Sequence, residues 1–111
     1  MNSQLKRGVL ELCVLSIVKN ADCYGYELVN KISDFMHITE GTVYPLLKRL
    51  KDNKQIQSYI VESNEGPARK YYKITENGLE TQEKMQKEWL DFVENVNNLI
   101  NNEMQGRGAN E

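Results

Sequence analysis

The sequence predicts a mainly α fold with one small β-hairpin and a long C-terminal helix, built around a single modest core. Three observations predict it. Apolar residues recur at helical spacing in three short segments between Leu5 and Lys51. Two runs rich in Ile, Val and Tyr flank a turn-forming stretch around Gly66, and a long polar segment after Gly78 carries a narrow apolar seam.

The first segment, Leu5 to Val18, holds Leu5, Val9, Leu10, Leu12, Cys13, Val14, Leu15, Ile17 and Val18. It is too long and dense for an exposed strand, and a helix apolar around most of its circumference needs cover on two sides. A small domain covers only one of them. Asn20-Ala-Asp-Cys-Tyr-Gly is turn-like, and Tyr26, Leu28, Val29, Ile32 and Phe35 then give a second helix to about Met36. Thr39 to Lys51 reads as a third, with Val43, Leu46, Leu47 and Leu50 on one face and Lys48, Arg49 and Lys51 on the other. Pro45 leaves two starts open. Either Thr42 caps a helix with proline in its first turn, or the helix begins near Thr39 and is distorted at Pro45.

Ile56 to Glu62 and Arg69 to Ile74 read as strands, and Ser63-Asn-Glu-Gly-Pro-Ala between them is turn chemistry. Two strands alone are marginal, so the hairpin needs the helices as a platform. After Thr75-Glu-Asn-Gly a long helix follows, in which Met85, Trp89, Phe92, Val96 and Leu99 are spaced +4, +3, +4, +3. Leaving such a seam in water forgoes roughly 1.5 to 3 kcal/mol for each large side chain, and the preceding domain is too small to hide it. A second copy of the chain is the natural cover. From Asn101 the pattern is lost, and a flexible tail is expected over 105–111, after a helix-and-hairpin unit over 1–75 and a dimerisation helix over 76–104.

Charge is unevenly placed. The net charge is −2, yet residues 42–74 hold seven basic and three acidic side chains, whereas residues 75–111 hold three basic and eight acidic ones. Three helices and a hairpin, with positive charge on the third helix and on the hairpin, is the plan of a winged helix-turn-helix. An α-helix fits the major groove, and flanking lysines and arginines release counterions from phosphates. The competing reading is a protein-interaction adaptor on the same scaffold, for which charge on both elements serves no purpose.

Other chemistry finds little support. Cys13 and Cys23 lack metal-ligand spacing and read as reduced thiols; His37 is the single histidine, with no nucleophile or acid assignable to it. No catalytic residue, metal or cofactor is expected, and the chain is read as a non-enzyme. There is no apolar run of about 18 to 20 residues for a membrane span and no leader-like opening, so the expected compartment is the cytoplasm, with no membrane partner.

Tyr24-Gly-Tyr-Glu-Leu, Glu40-Gly-Thr-Val-Tyr-Pro-Leu-Leu-Lys-Arg-Leu and Gly66-Pro-Ala-Arg-Lys-Tyr-Tyr-Lys-Ile-Thr-Glu-Asn-Gly78, in that order, closely resemble the PadR family of bacterial transcriptional regulators. The resemblance covers about residues 5–100. It implies a homodimeric repressor on a pseudo-palindromic double-stranded DNA operator, with the long helix of each subunit packed on the first helix of its partner. The interface residues would be Leu5, Val9, Met85, Trp89, Phe92, Val96 and Leu99. On the family's recognition motif fall Thr42, Tyr44, Lys48 and Arg49, the first two as base or phosphate contacts and the others as backbone contacts. Tyr44 has a second role open to it, packing its ring under the wing. Arg69 and Lys70 match the wing contacts, with Gly66 and Pro67 shaping the tip. Some regulators that this chain resembles stack planar ligands on a tryptophan of the last helix, which here implies an aromatic or cationic small-molecule effector at Trp89 and Phe92, unless Trp89 is simply dimer core. One departure stands out: the glycine usual after the recognition helix is Lys54, so Asn53 is expected to take the left-handed turn.

Overall fold

The computed structural model describes residues 3–109, with side chains described for 8–106. Helix α1 (Ser3–Asn20) leads through a two-residue strand β1 (Cys23–Tyr24) into α2 (Gly25–Ser33) and α3 (Glu40–Asp52). Strands β2 (Ile56–Ser63) and β3 (Gly66–Ile74) form the hairpin, and α4 (Glu76–Ala109) completes the chain. The sheet is antiparallel in the order β1-β3-β2.

The core is where the apolar faces converge. Leu10, Val14, Leu15 and Val18 of α1, Leu28 and Ile32 of α2, and Val43, Leu46, Leu47 and Leu50 of α3 are buried together. Ile56, Tyr72 and Cys23 cover them from the sheet. The other side of α1 behaves as its sequence suggests: Val9, Leu12, Cys13 and Ile17 are only half-buried. The side chain of Leu5 lies outside the described residues.

Several boundaries differ from the sequence reading, each for a local reason. Cys23 and Tyr24, expected in a turn, pair with Tyr72 and Tyr71 and add a third strand. Helix α2 ends at Ser33 rather than Met36, because Phe35, 88% exposed, has nothing to pack against on the helix it would extend. Helix α3 starts at Glu40 and carries Pro45 inside it, so the Thr42-capped start is excluded. Ser63 pairs with Gly66, which leaves Asn64 and Glu65 as the turn and draws Pro67 and Ala68 into β3. Pro67 is tolerated there because β1 pairs only with positions 71 and 72, leaving that edge of β3 open.

The end of α3 also corrects an expectation. Asn53 stays at φ −84°, and Lys54 itself takes the left-handed conformation at φ 61°. The Gln55 amide donates to the Leu50 carbonyl and the Lys54 amide to that of Lys51, both at 2.9 Å, a Schellman closure made without glycine.

This turn is fastened to the start of α4. The Thr75 hydroxyl donates to the Lys54 carbonyl at 2.7 Å and accepts from the Gly78 amide at 3.0 Å, so one side chain closes α3 and caps α4. Asn77 Nδ2 donates to the Asn53 carbonyl at 3.2 Å. Gly78 is buried, and a Cβ there would run into the Gln55 carbonyl oxygen. Glycine is required by that close approach.

Helix α4 leaves the body after about three turns. Buried Gln82 anchors it, with half-buried Met85 packed against the core just beyond: Gln82 Oε1 accepts from Lys19 Nζ at 3.0 Å, and its Nε2 donates to Ser16 Oγ at 3.2 Å and to Gln86 Oε1 at 2.9 Å. The helix is 34 residues long, about 51 Å, and it continues through the expected tail boundary to Ala109. Each added residue closes another hydrogen bond, which offsets the poor helix propensity of Gly106 and Gly108.

Candidate nucleic-acid interface

The surface opposite the core is formed by α3 and the hairpin. At about 100° per residue, Gly41, Pro45, Lys48 and Asp52 fall within about 30° of the line diametrically opposite the buried face of α3. All four are exposed. Thr42 and Arg49 lie on one flank of this stripe and Tyr44 on the other.

The flanking residues are committed to the fold. Arg49 Nη2 pairs with the carboxylate of Glu11, linking α3 to α1. The Tyr44 ring packs on Gly25 at the start of α2: a Cβ on that glycine would sit 2.7 Å from ring carbon Cε1 and 2.9 Å from the hydroxyl. Tyr44 keeps 41% of its surface exposed. Thr42 is half-buried. Of the four positions named on α3 from sequence, Lys48 alone stands on the stripe with its charge unpaired by a described partner.

The hairpin divides its residues by strand register. Arg69, Tyr71 and Lys73 face outward, opposite Val61, Tyr59 and Gln57, whereas Lys70, Tyr72 and Ile74 alternate to the other face. Tyr72 is buried, and burial pushes its hydroxyl above the ordinary tyrosine range, with nearby Tyr44 adding to the shift. Lys70 is paired with Ile60, exposed where the hairpin runs past the helices.

On the outer face an aromatic row crosses all three strands. Tyr59 stacks on Tyr71 at 5.7 Å between ring centroids, Tyr71 meets Tyr24 edge-on at 5.6 Å, and the Arg69 guanidinium sits 4.7 Å over the Tyr24 ring. Tyr59 donates its hydroxyl to Asp22 Oδ2 at 2.6 Å, and that bond is the main cause that pushes its ionisation up to about 12. The wing's arginine is therefore held against a ring while remaining exposed. Tyr24, Tyr59, Asp22 and Glu11 were not among the sequence candidates. The period of β3 signals which tyrosine faces out, but the partners come from β1 and α1, far away in sequence.

Lys48 on α3 and Arg69 and Lys70, on opposite faces of the hairpin, are all exposed, while the acidic residues of α4 lie on a separate element. That arrangement suits a polyanion with grooves better than a compact anionic ligand.

The remaining candidates lie at the other end of the body. Val9, Met85, Trp89 and Phe92 line an open pocket of about 440 Å³ between α1 and α4, together with Gly8, Leu12 and Glu88. Val96 and Leu99 continue the seam beyond it, 36% and 62% exposed. Cys13 and Cys23 are free thiols, and burial pushes both above the ordinary thiol range. Among the described residues, no three His, Cys, Asp or Glu side chains come together as a metal site, and no helix is long and apolar enough to cross a membrane.

Comparison with known proteins matches residues 14–84 to the model of the transcriptional regulator PadR-like family. An uncharacterised protein of Lysinibacillus sphaericus is 33% identical over 98 residues, covering 85% of this chain and 90% of its own. A PadR-like transcriptional regulator of Bacillus cereus superposes with a TM-score of 0.79 at 43% identity, covering 88% of this chain and 97% of that one. A Streptococcus transcriptional regulator gives 0.80 at 37% identity, covering 88% and 98%. Bacillus subtilis PadR, solved in complex with operator DNA, shares the fold with a TM-score of 0.62 at 22% identity over 74% of this chain and 45% of that one. With its three motifs in order, its winged helix and a family match over residues 14–84, this chain belongs to the PadR-like family of transcriptional regulators.

Proposed function

We propose that this protein is a homodimeric, sequence-specific DNA-binding repressor that a small molecule releases from a pseudo-palindromic operator. The observation that carries the reading is the exposed stripe of α3 with unpaired Lys48, followed in the chain by a hairpin with exposed Arg69, Lys70 and Lys73, while the acidic residues of α4 belong to a separate element. In this reading α3 enters the major groove, Lys48 and Lys70 contact phosphates, and Arg69 reaches the backbone or minor groove from its seat on Tyr24. Thr42, Tyr44 and Arg49 support the helix from its flanks and lend polar atoms to the groove edges.

A dimer follows from the exposed apolar residues of α4. Trp89, Phe92, Val96 and Leu99 find their cover on the half-buried side of a partner's α1, at Val9 and Leu12. Two such subunits present their α3 helices about 34 to 36 Å apart, one turn of DNA. The effector site is the pocket between α1 and α4, where the Trp89 indole and Phe92 ring offer flat apolar walls and Glu88 a carboxylate. Planar aromatic or cationic compounds fit that chemistry.

A mobility-shift titration of the upstream DNA, across a salt series and against an unrelated fragment, tests the central claim. Specific binding exceeds non-specific binding by about 10³-fold or more, and weakens steeply with salt. Equal, weak binding to every genomic fragment tried would favour the adaptor reading instead. Titrating planar cations and aromatic acids while following Trp89 emission tests the effector claim separately, and unchanged emission with unchanged operator affinity would remove it.

A further inference from the structure

We propose that Pro45 reads the 5-methyl group of a thymine in the major groove, so that each half-site of the operator places a thymine against the middle of α3. The proposal rests on the reading of α3 as the groove-entering helix and adds what that helix recognises.

The stripe facing away from the core has an unusual chemistry. Bidentate recognition of purines calls for a guanidinium or a side-chain amide, or a lysine on guanine. From Glu40 to Leu47 the helix has no Arg, Lys, Asn or Gln, and Lys48, the cation of the stripe, lies about two turns from the helix start and is assigned to a phosphate. Gly41 brings no side chain to the stripe, the Tyr44 ring is packed on Gly25, and Arg49 is paired with Glu11. What the stripe does present, one turn into the helix, is the exposed pyrrolidine ring of Pro45. Recognition helices contact base edges with their N-terminal residues, and the thymine methyl is the apolar group that the major-groove edge displays.

The proline also needs a reason. An interior proline removes the hydrogen bond that the Gly41 carbonyl would receive and crowds the preceding turn. Buried in the core, its ring could offset this by packing. Exposed on the opposite face, its ring is outside the core, and a broken local rule on an exposed face points to a contact made outside the chain.

The test uses the full-length protein and a synthetic duplex of its bound upstream site, in which thymines are the sole source of 5-methyl groups. Each thymine is replaced in turn by uracil, which removes the methyl and keeps the pairing. One position per half-site is expected to weaken binding by about fourfold, the effect of uncovering one methyl-sized group, while the other positions change little. Pro45→Ser, checked for unchanged helix content by circular dichroism, is expected to bind the thymine duplex more weakly and to be indifferent to uracil at that same position. Wild-type affinity unmoved by uracil at every position overturns the proposal, and so does a Pro45→Ser variant that keeps the full preference. The wild-type scan needs no variant to fold. Strong specific binding without any methyl effect leaves the repressor reading standing and removes this one, whereas failure to prefer any fragment removes both.

Discussion

The body of the molecule and the distal half of α4 treat apolar side chains in opposite ways. In the body, Leu10, Leu15, Leu28, Leu47 and Leu50 are each 1% exposed or less, drawn together from three helices. Along α4, Trp89 is 37%, Phe92 56%, Leu99 62% and Met104 69% exposed, although these side chains are as apolar as those of the core. The body is a finished fold, whereas the distal helix carries an apolar seam that nothing in its own chain covers. The border between them is marked by the Gln82 network, fully hydrogen-bonded, and by half-buried Met85, beyond which the apolar side chains of α4 are exposed.

The strongest way to break this contrast is to empty the core. Leu47→Ala should cost about 2 to 5 kcal/mol, read as a lowered urea midpoint, with dimer formation and stability falling together. If the body depended on the partner for its folding, dilution would produce the same loss in the unaltered protein.

Phe92→Asp tests the other half. It should shift the protein to monomer in analytical ultracentrifugation, at a cost of about 1.5 to 3 kcal/mol for each copy of the lost side chain, and should weaken operator binding. The core of the body should remain folded. Unfolding of the body in step with dissociation would show that the two regions are one cooperative unit.

Smaller effects sharpen the border. Lys54→Gly relieves a left-handed lysine where a glycine fits, and should stabilise the body by about 1 kcal/mol in thermal melts, without altering the sedimentation of the dimer. The smallest effect is at the aromatic row. Tyr59 ionises near 12 in the fold against an ordinary 10, because its hydroxyl donates to Asp22. With the folded value raised, the stabilisation is fully present below pH 10 and disappears as pH rises towards 12. Tyr59→Phe should abolish that part of the alkaline decline, read by thermal melts between pH 9 and 12.

Much of this was legible from sequence because it is written in periodicity. The buried face of α3, the Leu28, Val29 and Ile32 part of that of α2 (Tyr26 and Phe35 are exposed), the alternation of β3 and the seam of α4 follow from spacing alone, and the order of motifs carries the family. What escaped depends on long-range pairing. Nothing near Cys23 and Tyr24 announces a strand, because their partners are Tyr71 and Tyr72, and nothing near Arg49 shows that Glu11 will meet it. Pro45 was legible as an irregularity in α3, but its place on the stripe opposite the core required the helix to be phased by its buried neighbours. The turn at Lys54 escaped for a different reason. Propensity favours Asn53 for a left-handed residue, yet the Schellman bonds to Leu50 and Lys51 and the grip of Thr75 and Asn77 fix the turn one residue later.

That grip has a mechanical consequence. Through Thr75, Asn77 and Gly78, the last carbonyls of α3 and the first turn of α4 are one joint with no loose linker between them. A helix about 51 Å long, clamped at one end, behaves as a lever, so a tilt of about 5° at the joint moves the far end by roughly 4 Å. Read in reverse, a modest displacement of the distal end of α4 is delivered to the end of α3 as a change of angle. Inserting one residue between Ile74 and Glu76 would disconnect handle from blade.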